Sequence, residues 1–138
     1  MKSLLSPNPL CLPQALAIIR IALGLLMVYH GLEVFDSELM KSYATWDVFQ
    51  DKAATFLVYL GKSSELVAGI FLTLGLLTRA GAVILAGTML YITFIVGKGR
   101  FWYEDQHPFM FVLFGILFFF TGPGAWSLDA ILFRKKVS

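Results

Sequence analysis

Apolar residues gather into four long blocks separated by short polar stretches. A bilayer core about 30 Å thick, crossed by a helix rising 1.5 Å per residue, needs roughly 20 mostly apolar residues. Residues 14–35, 62–77, 80–96 and 106–121 are the candidate spans. The second and fourth are short, and Gly61-Lys62-Ser63-Ser64 is predicted to break the chain above the second, leaving 53–60 as a separate interfacial helix. His107-Pro108 suits the first turn of the fourth span, and Gly122-Pro123-Gly124 cannot continue it. Beyond it Trp126 can sit at the interface and Ser127 can cap a short amphipathic tail helix over 127–136. The predicted fold is all-α: an integral membrane four-helix bundle made by one domain, residues 1–138, with no repeat or linker.

Helices associate in lipid through close backbone approach, so small residues should line their contacts. Gly24 and Gly31 stand one heptad apart on the first span, Ala68 and Gly69 on the second, and Ala82 and Ala86 form a small-xxx-small pair on the third. The fourth span surrounds Gly115 with phenylalanines, which reads as a lipid-facing or gap-filling helix rather than a cofactor box.

Composition agrees with the blocks. Of 138 residues 58% are hydrophobic and 14% charged, and the mean hydropathy is +0.76, which excludes an ordinary soluble domain and, with 13 Phe, 5 Tyr and 3 Trp, a disordered chain. The net charge of +2 is scattered apart from Arg134, Lys135 and Lys136, so no nucleic-acid footprint exists. That cluster, with Lys2 and the Arg79 turn, places both termini in the cytoplasm, although Lys41, Lys52, Lys98 and Arg100 fall in the opposite loops. The first external loop, 36–52, carries Asp36, Glu38, Asp47 and Asp51 with Tyr43, Trp46 and Phe49, and reads as an interface-hugging segment. Cys11 alone permits neither an intrachain disulfide nor a CxxC pair. A lipoprotein reading of it fails, because no hydrophobic segment precedes it. The N-terminal apolar run is expected to stay attached, since Arg20 interrupts it and no small-residue cleavage site follows.

Charges in hydrocarbon are costly, about 2.5 to 3.5 kcal/mol each on insertion scales, so each one asks for a partner or a purpose. Arg20, His30 and Glu33 lie on the first span, Lys62 and Glu65 on the second, and His107 opens the fourth. His30 and Glu33 share a helix face, as do Lys62 and Glu65. With Trp102, Tyr103 and Glu104 as a roof, His30, Glu33, Lys62, Glu65 and His107 converge near the outer surface. A carboxylate among apolar walls beside a histidine can pass protons to a bound organic molecule, and a quinone suits an apolar slot with a donor at each end. The plainer reading is that Lys62 pairs with Glu65 and His30 with Glu33 to fix helix register. Two His and two Glu could also hold a metal, but no HExxH or ExxH spacing is present and no metal is assigned. Haem between His30 and His107 is weaker, both histidines lying at one membrane edge. Arg20 is expected to snorkel into a structural ion pair with Asp129, and Arg79 to anchor its turn at the head groups.

Four stretches then fall into a pattern: Arg20-x-x-Leu23-Gly24 with His30-Gly31; Glu65 leading through Gly69 to Leu74-Gly75-Leu76-Leu77-Thr78-Arg79; Glu104 to Phe109 around His107-Pro108-Phe109; and Gly122-Pro123-Gly124 with Ser127-Leu128-Asp129. In this order, over nearly the whole chain, they resemble the DoxX family of small four-span bacterial membrane proteins. The resemblance implies the bacterial cytoplasmic (inner) membrane, and relatives that include the small subunit of a thiosulfate:quinone oxidoreductase and a partner in a thiol-redox and superoxide-defence complex. It carries Arg20, His30, Glu65, Arg79, His107 and Asp129 as pattern positions. Many relatives have Lys where this chain has Glu33, which speaks against an anionic substrate such as thiosulfate. The leading expectation is a quinone-linked oxidoreductase subunit, with His30 and Glu65 handling protons and Glu33, Lys62, Trp102, Tyr103 and His107 lining the binding site. No electron-transfer cofactor is encoded by motif, so a partner subunit must bring electrons, from thiol or sulfur compounds by the resemblance. The alternatives are a non-catalytic scaffold recruiting a redox partner through the external loop or tail, and a small-solute or lipid carrier, for which a homo-oligomer would form the path.

Overall fold

Pro13 lacks an amide hydrogen that the first helical turn leaves unused, and the first long helix starts there. The computed structural model describes residues 8–49 and 53–133. Helix α1 (Leu12–Gly31) runs on into a 3-10 turn, Leu32–Phe35, where Asp36 stops it and caps the next helix. The Asp36 carboxylate accepts from the amides of Glu38 and Leu39 at 3.1 and 3.0 Å and so starts α2 (Ser37–Ala44). A 3-10 turn, Asp47–Phe49, follows.

Helix α3 runs unbroken over Ala54–Leu74, correcting both the expected break at Gly61-Lys62-Ser63-Ser64 and the boundaries 62–77. The polar residues there bond within or beside the helix rather than opening it: Ser64 Oγ donates to the Leu60 carbonyl at 2.7 Å, and Lys62 is ion-paired. The helix stops at Gly75, whose φ of 62° supplies the left-handed cap. Helix α4 (Thr78–Tyr91) ends in a π turn, Ile92–Val96, where Thr93 Oγ1 donates back to Met89 O at 2.7 Å. Helix α5 spans Gln106–Thr121, as expected. Helix α6 covers Leu128–Leu132, capped by Ser127 Oγ and ended by Phe133; Arg134 to Lys136 of the expected 127–136 tail, like Lys2, Asp51 and Lys52, lie outside the described residues.

The long helices pack in chain order, α1 on α3, α3 on α4 and α4 on α5, with α2 resting on α3. One core joins all four through Leu23, Met27, Leu72, Leu85 and Phe118. Small residues set the close approaches: a Cβ on Gly24 would stand 2.5 Å from the Thr73 amide nitrogen, one on Gly69 2.6 Å from that of Val28, and one on Gly115 2.9 Å from Ala86 Cβ. Met40, Phe49 and Val58 form a second core under α2. The stretches Leu12–Phe35, Ala54–Leu74 and Thr78–Val96 are long and apolar enough to cross a bilayer, and α5 is a shorter apolar helix. The bundle has two distinct ends, one carrying α2 and the other α6, and the Ala125 amide bonds Pro13 O at 2.8 Å, so both described ends of the chain meet at the α6 end.

That end holds the second correction. Arg20 and Asp129 do not form the expected ion pair; each serves backbone groups instead. Arg20 donates to the carbonyls of Leu72, Thr73, Pro123, Ala125 and Trp126 at 2.6 to 3.2 Å. Asp129 accepts from the amides of Leu77 and Thr78 at 2.7 and 2.8 Å. The last carbonyls of α3 and the first amides of α4 have no partners within their helices, so a cation and an anion find stronger claims there than on each other.

Candidate functional site

At the α2 end, α1 unwinds into its 3-10 turn just where it carries His30 and Glu33, while α3 presents Lys62 and Glu65 one turn apart. Gly31 allows the approach, lying against the Leu66 backbone of α3. The Lys62 ammonium stands 2.8 Å from Glu33 Oε2 and 3.0 Å from Glu65 Oε2. His30 Nδ1 is 3.9 Å from Glu33 Oε1. Tyr43, from α2, donates its hydroxyl to Glu33 Oε2 at 2.9 Å and holds its ring 5.4 Å from the ammonium. The sequence-level pairs are therefore linked into one network in which two carboxylates share a single lysine. Side-chain exposure falls from 43% at His30 through 25% at Glu33 and 17% at Lys62 to 5% at Glu65, which places the Glu65 carboxylate deepest.

Beside this network is a cavity of about 260 Å³. His30, Lys62 and Glu65 form its polar end, and His107 reaches it from the first turn of α5. Met27, Val58, Met89 and Phe111 supply apolar walls. Tyr43, Trp46 and Phe49 close it on the α2 side, Trp46 meeting the Tyr43 ring edge to face at 5.0 Å. Burial and the hydrogen bond to Glu33 raise the Tyr43 phenol above its ordinary value, keeping it a proton donor.

Trp102 and Tyr103 do not roof the cluster: they stand 65% and 76% exposed in the turn before α5 and do not line the cavity. That loop is drawn back on itself, because the Asp105 carboxylate accepts from the amides of Lys98 and Arg100, both at 2.9 Å, while Glu104 pairs with Lys98 and Arg100. The roof comes from the first loop, whose aromatic residues were visible in sequence without their destination. The signal that locates them is Met40, Tyr43 and Ala44 at helical spacing, one apolar face of a capped eight-residue helix. Among the described residues, no three of His, Cys, Asp and Glu are grouped so as to hold a metal. The arrangement is one that can hold an apolar ring and exchange protons with polar atoms on its edge.

The DoxX family profile matches residues 15–98, more than half of the chain and the part that contains His30, Glu33, Lys62 and Glu65. An uncharacterized membrane protein of Mycobacterium tuberculosis is 28% identical, over 91% of this chain and 86% of its own length. An uncharacterized protein of Haemophilus influenzae is likewise 28% identical, over 89% of this chain and 94% of its own. No solved structure matches the chain. With a profile match from the start of α1 through the π turn after α4, and relatives aligned over most of their length, the chain belongs to the DoxX family of membrane proteins.

Proposed function

We propose that the cavity binds a quinone and that the protein is the quinone-interacting membrane subunit of an oxidoreductase, working with a partner that supplies electrons from a thiol or sulfur compound. The observation that carries this reading is a deeply buried carboxylate, Glu65, at the polar end of an otherwise apolar, aromatic-roofed cavity. A bound quinone supplies the acceptor for two electrons and two protons. This chain's residues bind, orient and move protons: the apolar walls hold the ring, Lys62 and His107 offer hydrogen bonds to its oxygens, and Glu65 with His30 delivers protons. Two carboxylates beside one ammonium favour a neutral ligand over an anion. The same reading places the α6 end in the cytoplasm and the cavity in the outer half of a bacterial inner membrane.

A second reading, a scaffold that recruits a redox partner without a ligand, is favoured by the mutual satisfaction of Glu33, Lys62 and Glu65. A carrier finds less support, because the cavity and the groove beside Arg79 at the α6 end are separated by the core of Leu23, Leu72, Leu85 and Phe118. Equilibrium quinone binding to protein in nanodiscs separates the first two. Saturable binding that drops at least about tenfold in Glu65→Gln and in His30→Ala, with helicity unchanged, is the expected result. Wild type that binds no more than empty nanodiscs overturns it in favour of the scaffold.

A further inference from the structure

The cavity's apolar side lies between α3 and α4, where Gly61, Thr88 and Tyr91 line it. Near the turn that joins them these helices touch closely, and a Cβ on Gly81 would come 2.9 Å from Phe71 Cβ. Toward the α2 end they part: a Cβ on Gly61 would meet nothing within 4 Å. Gly61 and Thr88 line the cavity while half-buried, and Tyr91 lines it while exposed, so the cavity reaches the bundle surface between them. Gly61 stands about 10 Å inside the start of α3, seven residues at 1.5 Å each. Leu60, next to Gly61 on α3, and Leu90, next to Tyr91 on α4, are exposed apolar side chains, a character suited to acyl chains. By contrast, where Trp46 and His107 bring the same cavity to the surface, the neighbours include the polar network.

We propose that the bound compound is a lipid-dissolved ring with an apolar tail, that the tail leaves the cavity sideways between α3 and α4, and that the absent side chain of Gly61 keeps this mouth open. The ring rests on the quinone reading above; the tail, the route from the bilayer and the role of Gly61 are added to it. A cavity of about 260 Å³ has room for a ring but not for a long chain, which must therefore project into lipid. Gly61 determines specificity by width, without touching the reacting atoms.

The test compares a decyl-tailed benzoquinone with a tail-less methylated benzoquinone, each bound to protein in nanodiscs and corrected for empty nanodiscs. Gly61→Leu is set against Gly87→Leu, since Gly87 on α4 also has nothing within 4 Å of an added Cβ yet does not line the cavity. Gly61→Leu is expected to weaken the tailed compound about tenfold or more while leaving the tail-less one within about twofold, and Gly87→Leu to change neither. Gly61→Ala gives a smaller loss in the same direction, a check against misfolding of the leucine variant. If Gly61→Leu binds both compounds as wild type does, or loses both alike, the mouth is overturned and the quinone site stands. Wild type that binds neither compound overturns the quinone reading, and the mouth falls with it.

Discussion

Arg20 shows what a single residue does in this bundle: fully buried, it uses all five of its N–H donors on backbone carbonyls of two separate segments. The planar fork matters as much as the charge, so Arg20→Lys should unfold more readily than wild type, by about 2 to 4 kcal/mol at roughly 1 kcal/mol per lost bond. Asp129→Asn, which keeps one of the two oxygens that accept from Leu77 and Thr78 and leaves the other amide without an acceptor, should cost less, about 1 to 2 kcal/mol. Thermal melts in one detergent decide this, and equal losses would restore the ion-pair view. Sequence showed that Arg20 needed a partner but not which one, because hydropathy counts charges and does not see the unpaired carbonyls at the end of a helix. At the other end, the bond from Tyr43 to Glu33 should have an alkaline limit. The phenol is raised by burial first and by its bond to Glu33 second, so its contribution is complete below the ordinary tyrosine value of about 10 and is lost as pH rises through the higher folded value. Trp46 fluorescence, followed with Trp102 and Trp126 replaced by Phe, should therefore be flat to about pH 10 and change above it. Tyr43→Phe should abolish that step.

Two glycines on one helix have opposite meanings. Gly69 of α3 lies against the Val28 backbone of α1, whereas Gly61, eight residues earlier, faces open space. Gly61→Ala should accordingly stabilise the protein by up to about 1 kcal/mol, through the lower backbone entropy of the unfolded chain. Gly69→Ala should destabilise it by about 2 kcal/mol or more, because backbone on both sides must shift. Denaturation midpoints of the two variants, measured side by side, should move in opposite directions; a common direction would refute the separation of α3 from its neighbours at Gly61. The long helices and the small residues between α1 and α3 were legible in sequence because length and composition dictate them. The continuity of α3 was not. A window of polar residues at Gly61 to Ser64 reads as a break until the bond from Ser64 to Leu60 and the ion pairs of Lys62 are placed. The roof was half legible for a related reason: aromatic residues in the first loop were visible, while the fold of α2 over α3 depends on the contact of Met40, Phe49 and Val58 across elements.

For the molecule as a whole, the direction in which the bundle faces fixes where the cavity meets water. Charge counts alone divide between the two ends, since Arg79 stands at the α6 end while Lys41, Lys98 and Arg100 stand at the α2 end. The single cysteine offers a direct measurement. Cys11 is exposed immediately before α1, at the α6 end. In intact cells a membrane-impermeant maleimide should leave wild type unlabelled and label it only after the membrane is opened. A Cys11→Ser, Ser37→Cys variant moves the thiol to the exposed start of α2 and should react in intact cells. That outcome would put His30 and His107 within reach of protons from the outer side, while a partner delivering electrons from cytoplasmic thiols would have to act across the core between the two ends. The reverse labelling would place cavity and cytoplasmic donor on the same side, and electrons could then pass directly at the face formed by α2 and the loop before α5. Sidedness therefore decides more than topology: it determines whether a redox partner must dock beside Tyr43 and Trp46 or beside the α6 end, and so where the search for that partner begins.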